Sequence, residues 1–227
     1  MTTTTLYRLS AGCLIASFVL SLAGGVLHPV IDGQSHSVET FLADASPWAQ
    51  YLIYAGAVLL MLGLPGGYLF FRDRLGVLGF VGFASYMVGN ALSAMSHLVV
   101  EAFVGPTIAA DPDARHLVPS SGEILDSPAF VALQAVGGLV LVASLVLIAV
   151  ALIRAQGLPT WVGAFLLVGA VALLVPIPER QGWTGLLVEL PRGTTVAVLG
   201  LLMLRGLRPA TAATGQDAER SIAVAGS

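Results

Sequence analysis

Six long, mostly apolar stretches dominate this chain: Leu6–Val30, Trp48–Phe71, Leu75–Val104, Pro128–Arg154, Thr160–Ile177 and Trp183–Arg205. The hydrocarbon core of a bilayer is about 30 Å thick and takes roughly 20 such residues per helix. Each stretch meets or approaches that length; the shortest has 18 residues and the longest 30. Inside lipid the backbone must satisfy its own hydrogen bonds, which leaves helices or closed barrels. The runs are unbroken and lack the alternation of barrel strands. The sequence therefore predicts an all-α, polytopic membrane protein, a six-transmembrane-helix bundle. Residues 1–207 form its single domain, and 208–227, small, polar and proline-marked, are expected to be a disordered cytoplasmic tail.

Charge sharpens the class. Of 227 residues 56% are hydrophobic and 10% charged, where an ordinary soluble domain carries about 25%. The net charge is −3, all ten basic residues are arginine, and none forms the clustered basic face that nucleic acid requires. The single cysteine, Cys13, excludes a disulfide framework and any paired-cysteine metal or redox motif.

Sidedness follows from the arginines. Arg8, Arg72, Arg74, Arg154, Arg205 and Arg208 fall on one side of a six-span arrangement, while Asp32, Glu39, Asp44, Asp111, Asp113, Glu123 and Asp126 fall on the other. By the positive-inside rule both termini are expected in the cytoplasm, with the bundle in the plasma (inner) membrane. The first stretch exceeds a signal-peptide core, and no small-x-small cleavage pattern separates Val30 from Asp32, so it is expected to stay as an anchor. The longer loops, 31–47 and 105–127, lie outside, where loops of such length serve as lids or binding elements. Trp48, Trp161 and Trp183 mark span ends, as interfacial residues do.

Polar residues inside spans are costly, so their placement carries the functional information. On the third span Tyr86, Asn90, Ser93, His97 and Glu101 share one helical face, and on the first Ser10, Ser17, Ser21, His28 and Asp32 do the same. The serines suit helix packing. Each stripe ends in an i,i+4 histidine–carboxylate pair, His28 with Asp32 and His97 with Glu101. The last span adds Glu189 and Arg192, three residues apart around Pro191. At 1.5 Å per residue from the cytoplasmic ends, His28, His97 and Gln134 lie about 30–34 Å up, Glu189 about 24 Å and Arg192 about 20 Å. The sequence thus predicts a polar funnel open to the outside, with Glu189 and Arg192 at its floor. Trp48, Gln50, Tyr51 and Tyr54, at the outer start of the second span, are candidates to line it. His36 and His116, in the outer loops, are candidate extra metal ligands but read first as solvated loop residues.

Such a funnel suits an enzyme acting on a lipid-like or isoprenoid substrate, a hydrophobic small molecule drawn from the membrane lipid. His97, Glu101, Glu189, Arg192 and His28 are the candidate catalytic residues, for acid–base chemistry. Tyr86, Asn90, Gln134, Trp48, Tyr51 and Tyr54 are candidate substrate contacts. A divalent metal is a candidate cofactor, held by His28, Asp32, His97 and Glu101, the nitrogen and oxygen donors of catalytic zinc. The alternatives are an accessory membrane protein, a small-solute or lipid binding protein or transporter, and a haem protein ligated by His28 and His97. The sequence leaves the oligomeric state open.

Overall fold

The computed structural model describes residues 1–119, 124–175 and 177–207, which are helical with no strand among them. The principal helices are α1 (Thr3–Leu27), α2 (Val38–Phe41), α3 (Ser46–His97), α4 (Gly105–Ala110), α5 (Pro128–Arg154), α6 (Thr160–Ala172) and α7 (Trp183–Gly206). A π-helical stretch, Leu98–Val104, joins α3 to α4. Local chemistry sets most of these limits. The Thr2 hydroxyl accepts from the Thr5 amide to start α1, and Pro29 follows its end. Ser37 and Thr40 cap α2 reciprocally. Ser127 followed by Pro128 starts α5.

Four helical runs are long and apolar enough to cross a membrane: α1, Ser46–Ala110, α5 and α7. The Ser46–Ala110 run takes up two of the expected stretches, because α3 breaks at Gly76, whose φ of 58° and ψ of −158° are open essentially only to glycine. The two limbs then run back to back. The Asn90 amide donates to the Ala57 carbonyl across them at 3.2 Å, and the Tyr68 ring lies 5.5 Å from Phe80 and 6.1 Å from Phe83. Two expectations change. The third stretch continues as helix past Val104 to Ala110. The fifth, expected over 160–177, is a helix of only 13 residues ending at Ala172, about 20 Å long and short of a full crossing. Pro178 follows, and Pro176, outside the described residues, stands between, so the sequence cannot propagate the helix there. The expected disordered tail, 208–227, also lies outside the described residues.

The helices close into a ring, α1 against α3, α3 against α5, α5 against α6, α6 against α7, and α7 back on α1. Glycine seams hold the ring at close range. The Ser17–Ser21 stretch of α1 sits against Gly56, Ser10 and Leu14 against Gly63 and Gly66, and Gly25 lies directly on Gly185 of α7. These contacts give the buried serines Ser10, Ser17 and Ser21 their place. Around them Leu14, Leu64, Leu145, Leu152, Leu166, Leu199 and Met203 form an apolar core towards the end of the ring where α1 begins and α7 ends. The opposite end is left open.

Candidate functional site

At that open end the ring encloses a cavity of about 450 Å³. The apolar part of its wall includes Ile53, Ala57, Ala94, Leu141, Leu173 and Val188, and the polar part draws on α1, both limbs of α3, α7 and the loops above them.

The centre of the polar part is Glu101, 4% exposed. The π-helical turn that carries it admits an extra residue per turn, a distortion common at functional sites. Three histidines from different segments converge on its carboxylate. His28 Nε2, from the end of α1, lies 2.5 Å from Oε2. His97 Nδ1, four residues back, lies 2.7 Å from Oε1. His36 Nε2, from the loop before α2, lies 3.2 Å from Oε1. The Gln50 amide also donates to Oε2.

Donor and acceptor capacity bears on where the hydrogens lie. His28 Nδ1 faces the Pro29 carbonyl at 3.1 Å; a carbonyl only accepts, so Nδ1 carries hydrogen. Its Nε2 faces a carboxylate oxygen, so either Nε2 also carries hydrogen or Glu101 does. His28 and Glu101 thus share a hydrogen across this contact. His36 and His97 face the other oxygen.

Deeper in the cavity Glu189 and Arg192 form a two-pronged ion pair. Arg192 Nε donates to Oε2 at 2.9 Å, and Nη2 donates to Oε1. Both side chains are largely buried, at 6% and 16% exposure. Pro191 between them keeps its place in α7, seated against Gly169 of α6. Below the pair a second, water-sized cavity of about 10 Å³ lies among Ser17, Ser21, Tyr86, Asn90 and Arg192. Above the main cavity the Ser35 hydroxyl donates to Glu179, clasping the α1–α2 loop to the α6–α7 connection.

Of the residues singled out in the sequence, His28, Asn90, His97, Glu101, Glu189 and Arg192 all line the main cavity. Tyr86, 2% exposed, lines the smaller one instead. Gln134 is half-buried, Tyr54 is half-buried, and neither belongs to the lining. Trp48 and Tyr51 are exposed and pack edge-on with ring centres 5.9 Å apart, outside the cavity. Asp32 does not pair with His28 as an i,i+4 partner would. Pro29 ends the helix, and Asp32 turns the exposed chain at φ 52°. The four-residue donor set His28, Asp32, His97 and Glu101 is thus not assembled, and among the described residues no group of three or more His, Cys, Asp or Glu side chains is arranged to hold a metal ion.

His36, which the sequence favours as a solvated loop residue, is instead half-buried in the site. Its ring stacks on Phe41 at 6.0 Å and 15°, and it reaches Glu101. Asp32-Gly33, both at positive φ, make the tight turn that brings Gln34 back to pair with Ile31. An Asp-Gly pair is the sequence signal for that reversal. Gln50 came through the sequence only as one of several candidates for the lining, and it is 3% exposed against Glu101.

Comparison with protein-family models, with curated proteins and with solved structures finds no match for this chain. Its chemistry has to be read from the site itself.

Proposed function

We propose that this protein is an integral membrane enzyme that isomerises or cyclises a lipid-like, isoprenoid-sized substrate by proton transfer. The bundle crosses the plasma membrane six times, the fifth crossing made by the short α6 together with the non-helical residues after Ala172, with both termini in the cytoplasm. The two antiparallel limbs of α3, with Arg72 and Arg74 at their turn, support that topology. Reporter fusions at each terminus and after Asp111 test it; a C-terminus and an Asp111 loop on the same side would exclude it.

One observation carries the catalytic reading: a buried carboxylate, Glu101, meets three histidines at the wall of a cavity with apolar sides. In such a step the His28–Glu101 couple gives its proton to a double bond or oxygen of the substrate. A neighbouring carbon of the same substrate then returns a proton to the couple, so the site is regenerated with atoms balanced. Positioned acid–base groups contribute roughly 10²–10⁴-fold to such steps.

The test uses protein reconstituted in lipid nanodiscs, incubated in D2O with a neutral isoprenoid and lipid fraction and analysed by mass spectrometry. Wild-type protein incorporates deuterium or makes a product, and Glu101→Gln does not. No mass change in any lipid class would remove the catalytic reading. A stoichiometric divalent metal in the purified protein would instead assign the histidines and Glu101 to a metal centre.

A second reading, a lipid-binding accessory protein, is favoured by one fact. Glu101 already engages His28, His36, His97 and Gln50, as a purely structural carboxylate would. Ligand binding without exchange in the same experiment would select it.

A further inference from the structure

Resting on the proposed site, we infer that its ligand is an uncharged, single-chain molecule with one polar end, and not an anionic lipid such as a phosphate ester or a fatty acid.

The basic side chains within the cavity already face carboxylates. Both oxygens of Glu189 are taken by Arg192, so the only buried arginine of the described cavity wall is already neutralised. The three histidines of the wall, His28, His36 and His97, all face the carboxylate of Glu101. An anion brought inside would find no cation free of an opposing carboxylate. Its desolvation would go uncompensated, and isolated ions in such surroundings are strongly disfavoured. At the mouth, the exposed Glu179 and Arg180 carry opposite charges in open solvent. A hydroxyl or carbonyl meets no such barrier. It can exchange hydrogen bonds with the histidine cluster or with the Arg192 N–H groups that Glu189 leaves over.

Size limits the rest of the molecule. About 450 Å³ is in the lower half of the roughly 300–1,000 Å³ range of ligand pockets. One compact molecule with an apolar body fits; a two-chain phospholipid does not.

Three probes with the same C15 tail separate the charge classes: farnesol, farnesyl phosphate and farnesylamine. Each is titrated against radiolabelled farnesol bound to the reconstituted protein. Farnesol should compete at concentrations at least roughly tenfold lower than either charged analogue. Farnesyl phosphate binding as tightly as farnesol, or tighter, would overturn the inference, and so would the absence of saturable farnesol binding. The result is independent of turnover. Farnesol binding that persists in a protein inactive towards deuterium exchange sinks the catalytic reading and leaves the ligand class standing. Exchange on a phosphate ester sinks the ligand class and leaves catalysis standing. Glu189→Gln provides the converse control: with Arg192 unpaired, affinity for farnesyl phosphate should rise by roughly tenfold or more relative to farnesol. An unchanged ratio would overturn the charge argument.

Discussion

Replacing Glu189 by glutamine isolates the strongest electrostatic element of the bundle. The substitution keeps the size of the side chain and removes the charge that balances Arg192. The guanidinium, 16% exposed and held from α7 between α1 and the cavity, would then stand as a nearly buried cation without its counter-ion. Breaking a buried pair from one side typically costs about 3–5 kcal/mol, because the orphaned charge and not the lost attraction dominates. That is roughly two to three and a half powers of ten in the folding equilibrium. For a chain of this length it corresponds to a loss of roughly 6–20 °C in Tm. The double variant Glu189→Leu with Arg192→Met removes both charges and should recover most of the loss, since apolar replacement of a whole buried pair is commonly neutral or stabilising. Reversible unfolding in mixed micelles, followed by circular dichroism with increasing SDS, measures all three proteins. A single variant within about 0.5 kcal/mol of wild type would refute the reasoning. A double variant as unstable as the single would refute it equally.

Other perturbations have expected signs. Gly76→Ala should cost about 1–3 kcal/mol through backbone strain alone, since an added Cβ would meet nothing within 4 Å; Gly12→Ala, equally unobstructed but within α1, should stabilise by about 0.5–1 kcal/mol, and thermal unfolding of the two distinguishes conformation from packing. Gly185→Leu should drive α1 from α7, because its Cβ would collide with the Gly25 backbone; Gly138→Leu, facing open space, should leave Tm within a degree or two (roughly 0.5 kcal/mol). Ser35→Ala releases the clasp on Glu179 and should speed dissociation of bound farnesol with no change in Tm, as followed by isotope chase.

Particular residues show how far the sequence could be read. His97 and Glu101 were legible as a pair because helical backbone runs through both, and even the π-helical turn keeps them in contact at 2.7 Å. His28 and Asp32 have the same spacing and do not pair, because Pro29 ends α1 and a turn at positive φ carries Asp32 away. Spacing predicts a shared face only while the helix lasts. The partner His28 does find, Glu101, is 73 residues away, and nothing local announces it. His36 shows the same divide, since Asp32-Gly33 foretells a reversal but not the carboxylate to which it leads. Gln134 stood at the right height, yet height leaves rotation about the helix axis undetermined. On α5 the adjoining Gly137 packs against Leu92, and Gln134 falls outside the cavity lining.

By itself, then, the sequence determined that the chain is helical, that long apolar helices of membrane-crossing length carry it, and roughly where they begin and end. Those properties are local: each segment must satisfy its own backbone and hide its own apolar surface. Only the tertiary structure decided which residue reverses α3, and that His28, His36, His97 and Gln50 meet on Glu101. Such meetings depend on the rotation and register of whole helices. Those are set by contacts such as Gly25 on Gly185 and Ser21 on Gly56, which no single segment contains.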